Sequence, residues 1–98
     1  MKHLQKLTVD EVATLLAAHR AWSLDAEGHL TRAWALPDFA VALALANRIG
    51  AVADAQDHHP DLALGWGRLR ATVWSHDAGG LTARDVRFVV AVDALSPS

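Results

Sequence analysis

The chain has 98 residues, 52% of them hydrophobic, a formal net charge of -2 and no cysteine. That size and apolar content predict one domain, residues 1–98, with a real core, and they exclude a disordered chain, a disulfide framework and a thiolate metal site. No Lys/Arg cluster marks a nucleic-acid binder, the longest nearly apolar run (residues 39–47) is about half of a membrane span, and the first six residues lack the apolar run of a secretory leader, so the cytoplasm is the expected location.

Thr8 and Glu11 have the spacing of a capping box, which predicts a helix over residues 8–20 with Val12, Leu15, Leu16 and His19 on one face. A histidine at the end of such a stripe packs there or caps the helix. Residues 22–25 read as a short strand, 26–28 as a turn and 29–36 as the partner strand. Leu30, Trp34 and Leu36 share one face of it, with Arg32 as the exception. Pro37 ends that strand because it has no N–H to donate.

Asp38 is a good N-cap for a helix over residues 39–55. Phe39, Leu43, Ala46, Ile49 and Ala53 line one side of it, and Val41, Leu45 and Val52 another. A helix apolar on two sides is buried twice, once on its sheet and once against a second subunit, which predicts a homo-oligomer. Asp54 lies in the last turn, either as an exposed residue at a fraying end or as a carboxylate placed beside His58.

Residues 57–61 form a connector in which Pro60 holds His59 extended. His58 and His59 then point to opposite sides, poorly placed to chelate one metal but able to bracket a flat molecule. Leu62, Leu64 and Trp66 alternate on the next strand, Gly67-Arg68 reads as a tight turn, and residues 69–75 return. On the return strand Leu69, Ala71 and Val73 face the core, while Arg70, Thr72, Trp74 and His76 share the other side. Residues 76–80 form a glycine-containing loop without phosphate-loop spacing. Thr82 to Asp85 opens a last helix that buries Val86, Val89, Val90 and Ala94 and stops near residues 95–97. Two hairpins between helices give an α+β fold, α-β-β-α-β-β-α, a four-stranded antiparallel sheet with three helices on one face.

The chemistry concentrates at His58, His59 and His76, with Asp54, Asp57 and Asp77 beside them. Imidazole has an unperturbed pKa of roughly 6.5, so it gives and takes protons near neutrality. Histidines next to carboxylates suit proton transfer or a metal site, for which His58, His76 and Asp77 supply three ligands on paper. They equally suit solvated loop residues after a helix.

Asp54-x-x-x-His58-His59-Pro60, the aromatic Trp66, and Ser75-His76-Asp77-Ala78-Gly79-Gly80-Leu81-Thr82-Ala83-Arg84-Asp85 closely resemble the signature of the pterin-4a-carbinolamine dehydratase family. Thr8-x-x-Glu11, Trp22 and Asp38-Phe39 extend the resemblance over most of the chain. It implies the same fold, assembled as a dimer or a dimer of dimers. It also implies dehydration of 4a-hydroxytetrahydropterin to quinonoid dihydropterin, the recycling step that serves aromatic amino-acid hydroxylases, with neither metal nor organic cofactor. By the family's pattern, His58 and His76 carry the acid–base work and His59 orients the pterin. Asp54 and Asp57 hold imidazoles in their tautomers, while Arg84 and Asp85 complete the pocket wall; for Asp85, helix capping is compatible with that role. Pro60, Trp66, Ser75 and Asp77 belong to the same motif. Three positions depart from the pattern: Asp54 where glutamate is commoner, Trp66 for the usual tyrosine, and Trp74 where a small hydroxyl residue is common. The alternative function is a non-catalytic dimerisation or assembly protein that keeps the fold.

Overall fold

A computed structural model describes residues 5–95. Residues 1–4 of the expected leaderless start and the expected helix stop at residues 96–97 lie outside them. Helix α1 (Val9–Ala18) begins with the anticipated reciprocal cap: the Thr8 hydroxyl accepts from the Glu11 N–H at 3.1 Å, and the Glu11 carboxylate accepts from the Thr8 N–H at 2.8 Å. Such a cap stabilises a helix by about 1 kcal/mol. The helix ends before His19, which leaves helical geometry while its Nδ1 meets Asp93 at 2.7 Å.

Strand β1 (Ser23–Leu24) is shorter than expected. Trp22 turns into the core, and Asp25 starts the turn, its Oδ1 accepting the backbone N–H of Glu27 and of His29 at 2.9 Å each. Strand β2 (Leu30–Ala35) carries Arg32 on the core side. The guanidinium is tolerated there because it donates to Asp93 and lies over the Trp34 ring, 4.6 Å from its centroid.

Helix α2 (Phe39–Gln56) starts at Asp38, whose carboxylate accepts from the Val41 N–H at 2.9 Å. Its buried stripe is Ala42, Leu45, Ile49 and Ala53. The two apolar sides exist, but the line between them falls elsewhere than expected. Phe39 and Leu43 face outward, at 45% and 42% exposure, instead of joining Ile49 and Ala53. Two stripes compete for the sheet, and the one holding both Leu45 and Ile49 buries more apolar surface.

Strands β3 (Asp61–Gly65) and β4 (Arg68–Val73) pair Gly65 with Arg68. The turn residues are therefore Trp66 and Gly67, one position earlier than Gly67-Arg68, and Gly67 supplies the positive φ of 72° that hairpin turns favour. A single 3-10 turn (His76–Ala78) leads to helix α3 (Ala83–Asp93). There Asp85, Phe88, Val89 and Val92 are buried, and Val90 is turned out to 48% exposure. The expected stripe of Val86, Val89, Val90 and Ala94 rotates because the larger Phe88 claims the core and polar partners draw Asp85 inward.

The sheet order is β1-β2-β4-β3, antiparallel throughout. Two hairpins lie side by side, and their inner strands β2 and β4 pair from Leu30↔Val73 to Ala35↔Arg68. Leu30, Leu69, Ala71 and Val73 on one sheet face join Leu15, Ile49, Phe88 and Val89 from the three helices in a single core cluster. The other sheet face leaves Ala33, Ala35, Arg68 and Arg70 exposed. No helix among the described residues is long and apolar enough to cross a membrane.

Candidate active site

Helix α2 stops in a Schellman-type reversal. Asp57 adopts the left-handed conformation (φ 50°, ψ 44°), where glycine is usual. Its N–H bonds the Asp54 carbonyl at 3.3 Å, and the His58 N–H bonds the Ala53 carbonyl at 3.1 Å. The reversal turns His58 inward and leaves His59 outside.

His58 is buried, with its ring edge-on to Phe88 at 6.4 Å between centroids. Its Nε2 lies 2.7 Å from Oδ1 of Asp85, which has no exposed surface. The other Asp85 oxygen accepts the Ser75 hydroxyl at 2.9 Å and the Thr82 N–H at 2.8 Å. The Thr82 hydroxyl in turn donates to Ser75 Oγ at 2.8 Å. Both carboxylate oxygens are thus matched, as burial demands. An ionised carboxylate only accepts, so against it Nε2 of His58 is the donor, and Nδ1 is the ring nitrogen left for other partners. The same carboxylate closes the capping box of α3 with Thr82.

His59 is exposed, and its Nε2 lies 2.9 Å from Oδ1 of Asp54. Asp54 therefore serves His59, not His58 as the sequence suggested, because the reversal at Asp57 carries His59 back alongside the last turn of α2. The Asp57 carboxylate bonds neither imidazole; its backbone makes the turn instead. His76 opens the 3-10 turn, exposed, with its ring tilted 36° against Trp74 at 4.1 Å between centroids. Arg84 Nη2 donates to both oxygens of Asp77, at 2.9 and 2.8 Å. That hydrogen bond, reinforced by the guanidinium charge, holds the Asp77 carboxyl below its ordinary range.

These groups meet in one open cavity of about 470 Å³, lined by Asp57, His58, His59, Pro60, Asp61, Trp74, His76, Asp77 and Arg84. Its volume suits a small flat ligand. Asp85 and Ser75 stand behind His58, and Asp54 behind His59, so these three support the lining without forming it. Trp66 is the outlier. It sits at the tip of the β3–β4 hairpin at 70% exposure, outside the cavity. It stands at the far end of β3 from Pro60, on the order of 20 Å along the strand.

Trp74 provides the aromatic wall instead, and the alternation that put it on one strand face with His76 was its signal. Thr82 was visible as a cap and as a member of the motif, but not as a partner of Ser75. Nothing in the sequence pointed to Asp61. The paper ligand set of His58, His76 and Asp77 does not converge, since His58 is tied to Asp85 and Asp77 to Arg84. Among the described residues, the ligand atoms that come within 4.8 Å of one another belong to Asp25, Glu27 and His29.

The model of the family described as pterin 4 alpha carbinolamine dehydratase matches residues 5–95. A protein of Rubrobacter xylanophilus, provisionally named pterin-4-alpha-carbinolamine dehydratase, is 40% identical over 86 residues, spanning 88% of this chain and 80% of its own. One from Chloroflexus aggregans with the same provisional name is 33% identical over 92 residues, spanning 94% and 98%. A crystal structure from Brucella melitensis, titled transcriptional coactivator/pterin dehydratase, superposes with a TM-score of 0.85 at 26% identity, covering 92% of this chain and 97% of that one.

Proposed function

The chain belongs to the pterin 4 alpha carbinolamine dehydratase family, and from that premise we propose that it dehydrates 4a-hydroxytetrahydropterin to quinonoid dihydropterin. The single observation that carries this reading is the convergence of three imidazoles on one cavity in different states of attachment. His58 is anchored through Nε2 to a buried carboxylate, and Nδ1 is its available base. His76 is open to solvent, with no hydrogen bond to its ring among the described residues.

Loss of the C4a hydroxyl needs one proton delivered to the leaving oxygen and one taken from a ring nitrogen. His76 in its protonated form delivers the first, and water leaves. His58 Nδ1 takes the second, and Asp85 stabilises the resulting imidazolium. His59, held by Asp54, orients the pterin from the outer rim. Arg84 and Asp77 neutralise each other at the cavity mouth and leave its polarity to the imidazoles. The same reading puts the protein in the cytoplasm, beside the aromatic amino-acid hydroxylases whose cofactor this product restores.

The test is turnover of 4a-hydroxytetrahydropterin by purified, untagged protein. The expected result is clear acceleration over buffer, and a rate equal to buffer removes the enzymatic reading. A non-catalytic assembly role is then the one that remains. It is favoured by the outward Phe39 and Leu43 of α2 and by the coactivator half of the Brucella title. Under either reading those two side chains form the seat for a second copy, giving a dimer or a dimer of dimers. Gel filtration with light scattering is expected to show a mass at least twice the 10.5 kDa of one chain, and Leu43→Asp is expected to reduce it.

A further inference from the structure

His29 lies outside the cavity and outside the family motif, yet it touches the cavity wall. Its ring is stacked on Trp74, with centroids 3.8 Å apart and planes 3° from parallel. Trp74 is in turn the ring against which His76 rests. The register explains the contact. Leu30 pairs with Val73, so His29 and Trp74 are the next residues out, side by side on the open face of the sheet. The backbone of His29 is itself fixed, because its N–H bonds Oδ1 of Asp25 at 2.9 Å and Gly28 takes the turn with a φ of 80°.

We propose that His29 is a positioning residue for His76, acting through Trp74. The inference rests on the reading of the cavity as the pterin site. His76 is exposed and its ring has no hydrogen-bonding partner among the described residues, so nothing polar restrains it. The indole is its restraint. A side chain on an open sheet face has more than one staggered rotamer to choose from. The stacked His29 ring selects one: the indole stands as a wall, and His76 is held against it.

The experiment compares wild type with His29→Ala and His29→Phe. Phenylalanine keeps a flat ring able to stack but removes both ring nitrogens. His29 ends a turn and is not part of the hydrophobic core cluster, with its Nδ1 4.0 Å from Asp25 Oδ2, so both variants are expected to fold, which thermal melting checks. His29→Ala is expected to lower kcat about 5- to 10-fold, the penalty of a misplaced catalytic group, while KM changes less than about twofold. It is also expected to shift the His76 ring resonances in NMR spectra, because the ring current of Trp74 moves. His29→Phe is expected to restore both. Unchanged kcat and unchanged His76 resonances in His29→Ala overturn the proposal. So does failure of His29→Phe to restore them. Should wild type itself show no turnover, the dehydratase reading falls, and the His76 resonances still decide whether His29 positions that ring.

Discussion

His76→Ala is expected to cut turnover of 4a-hydroxytetrahydropterin by about 100-fold or more while leaving stability within about 0.5 kcal/mol of wild type. The side chain is exposed and hydrogen-bonded to nothing among the described residues, so its removal takes away a proton donor and little else. His58→Ala is expected to produce a rate loss of the same order with a different second signature. His58 is buried, and removing it leaves one oxygen of the fully buried Asp85 without its partner. An orphaned buried acceptor costs about 1–3 kcal/mol. Urea titrations of the two variants therefore separate, with His58→Ala unfolding earlier. Equal stability of the two would mean that Asp85 does not depend on His58, and full activity in either would remove that histidine from the acid–base pair.

Asp93→Asn is expected to lower stability by about 2–3 kcal/mol at neutral pH, the scale of breaking a partly buried ionic cluster. Asp93 accepts from the Trp22 indole at 2.8 Å, meets His19 Nδ1 at 2.7 Å and pairs with Arg32. Burial alone pushes its carboxyl up, but the hydrogen bonds from Trp22, His19 and Arg32, with the charge of Arg32, outweigh burial and hold it below the ordinary value. A carboxyl lowered on folding contributes stability that is fully present above its unfolded pKa, about 4, and is lost as pH falls through the lower folded value. Wild type should therefore lose stability faster than Asp93→Asn below about pH 4, and the gap between them should narrow. Urea midpoints at pH 7 and near pH 2.5 measure this; a gap that stays constant would show that the carboxylate charge is not what holds the cluster.

Periodicity and capping sufficed for the element order because each cue acts within one or two turns of chain. Thr8, Asp38 and Thr82 each cap the helix they were expected to cap. What escaped was decided by contacts between distant segments. Arg32 looked misplaced until Asp93, 61 residues on, supplied its acceptor. Asp85 read as part of the pocket wall or as a helix cap; it caps the helix and stands behind the wall, and its bond to His58, 27 residues back, has no local signature. The partner of Asp54 depended on a left-handed residue at Asp57, which a non-glycine side chain does not announce. Trp66 lies outside the cavity because the length of β3 separates it from Pro60, a distance that the motif spacing does not display. His29 was invisible because only strand register brings it to Trp74.

One carboxylate caps α3 and anchors His58 at once. Fraying the first turn of that helix therefore releases the proposed base in the same event, and because Ser75, Thr82 and Asp85 are all fully buried, that event requires the core to open. Specific activity and circular dichroism should therefore fall together in denaturant, because the start of that helix and the chemistry hang from the two oxygens of one buried carboxylate.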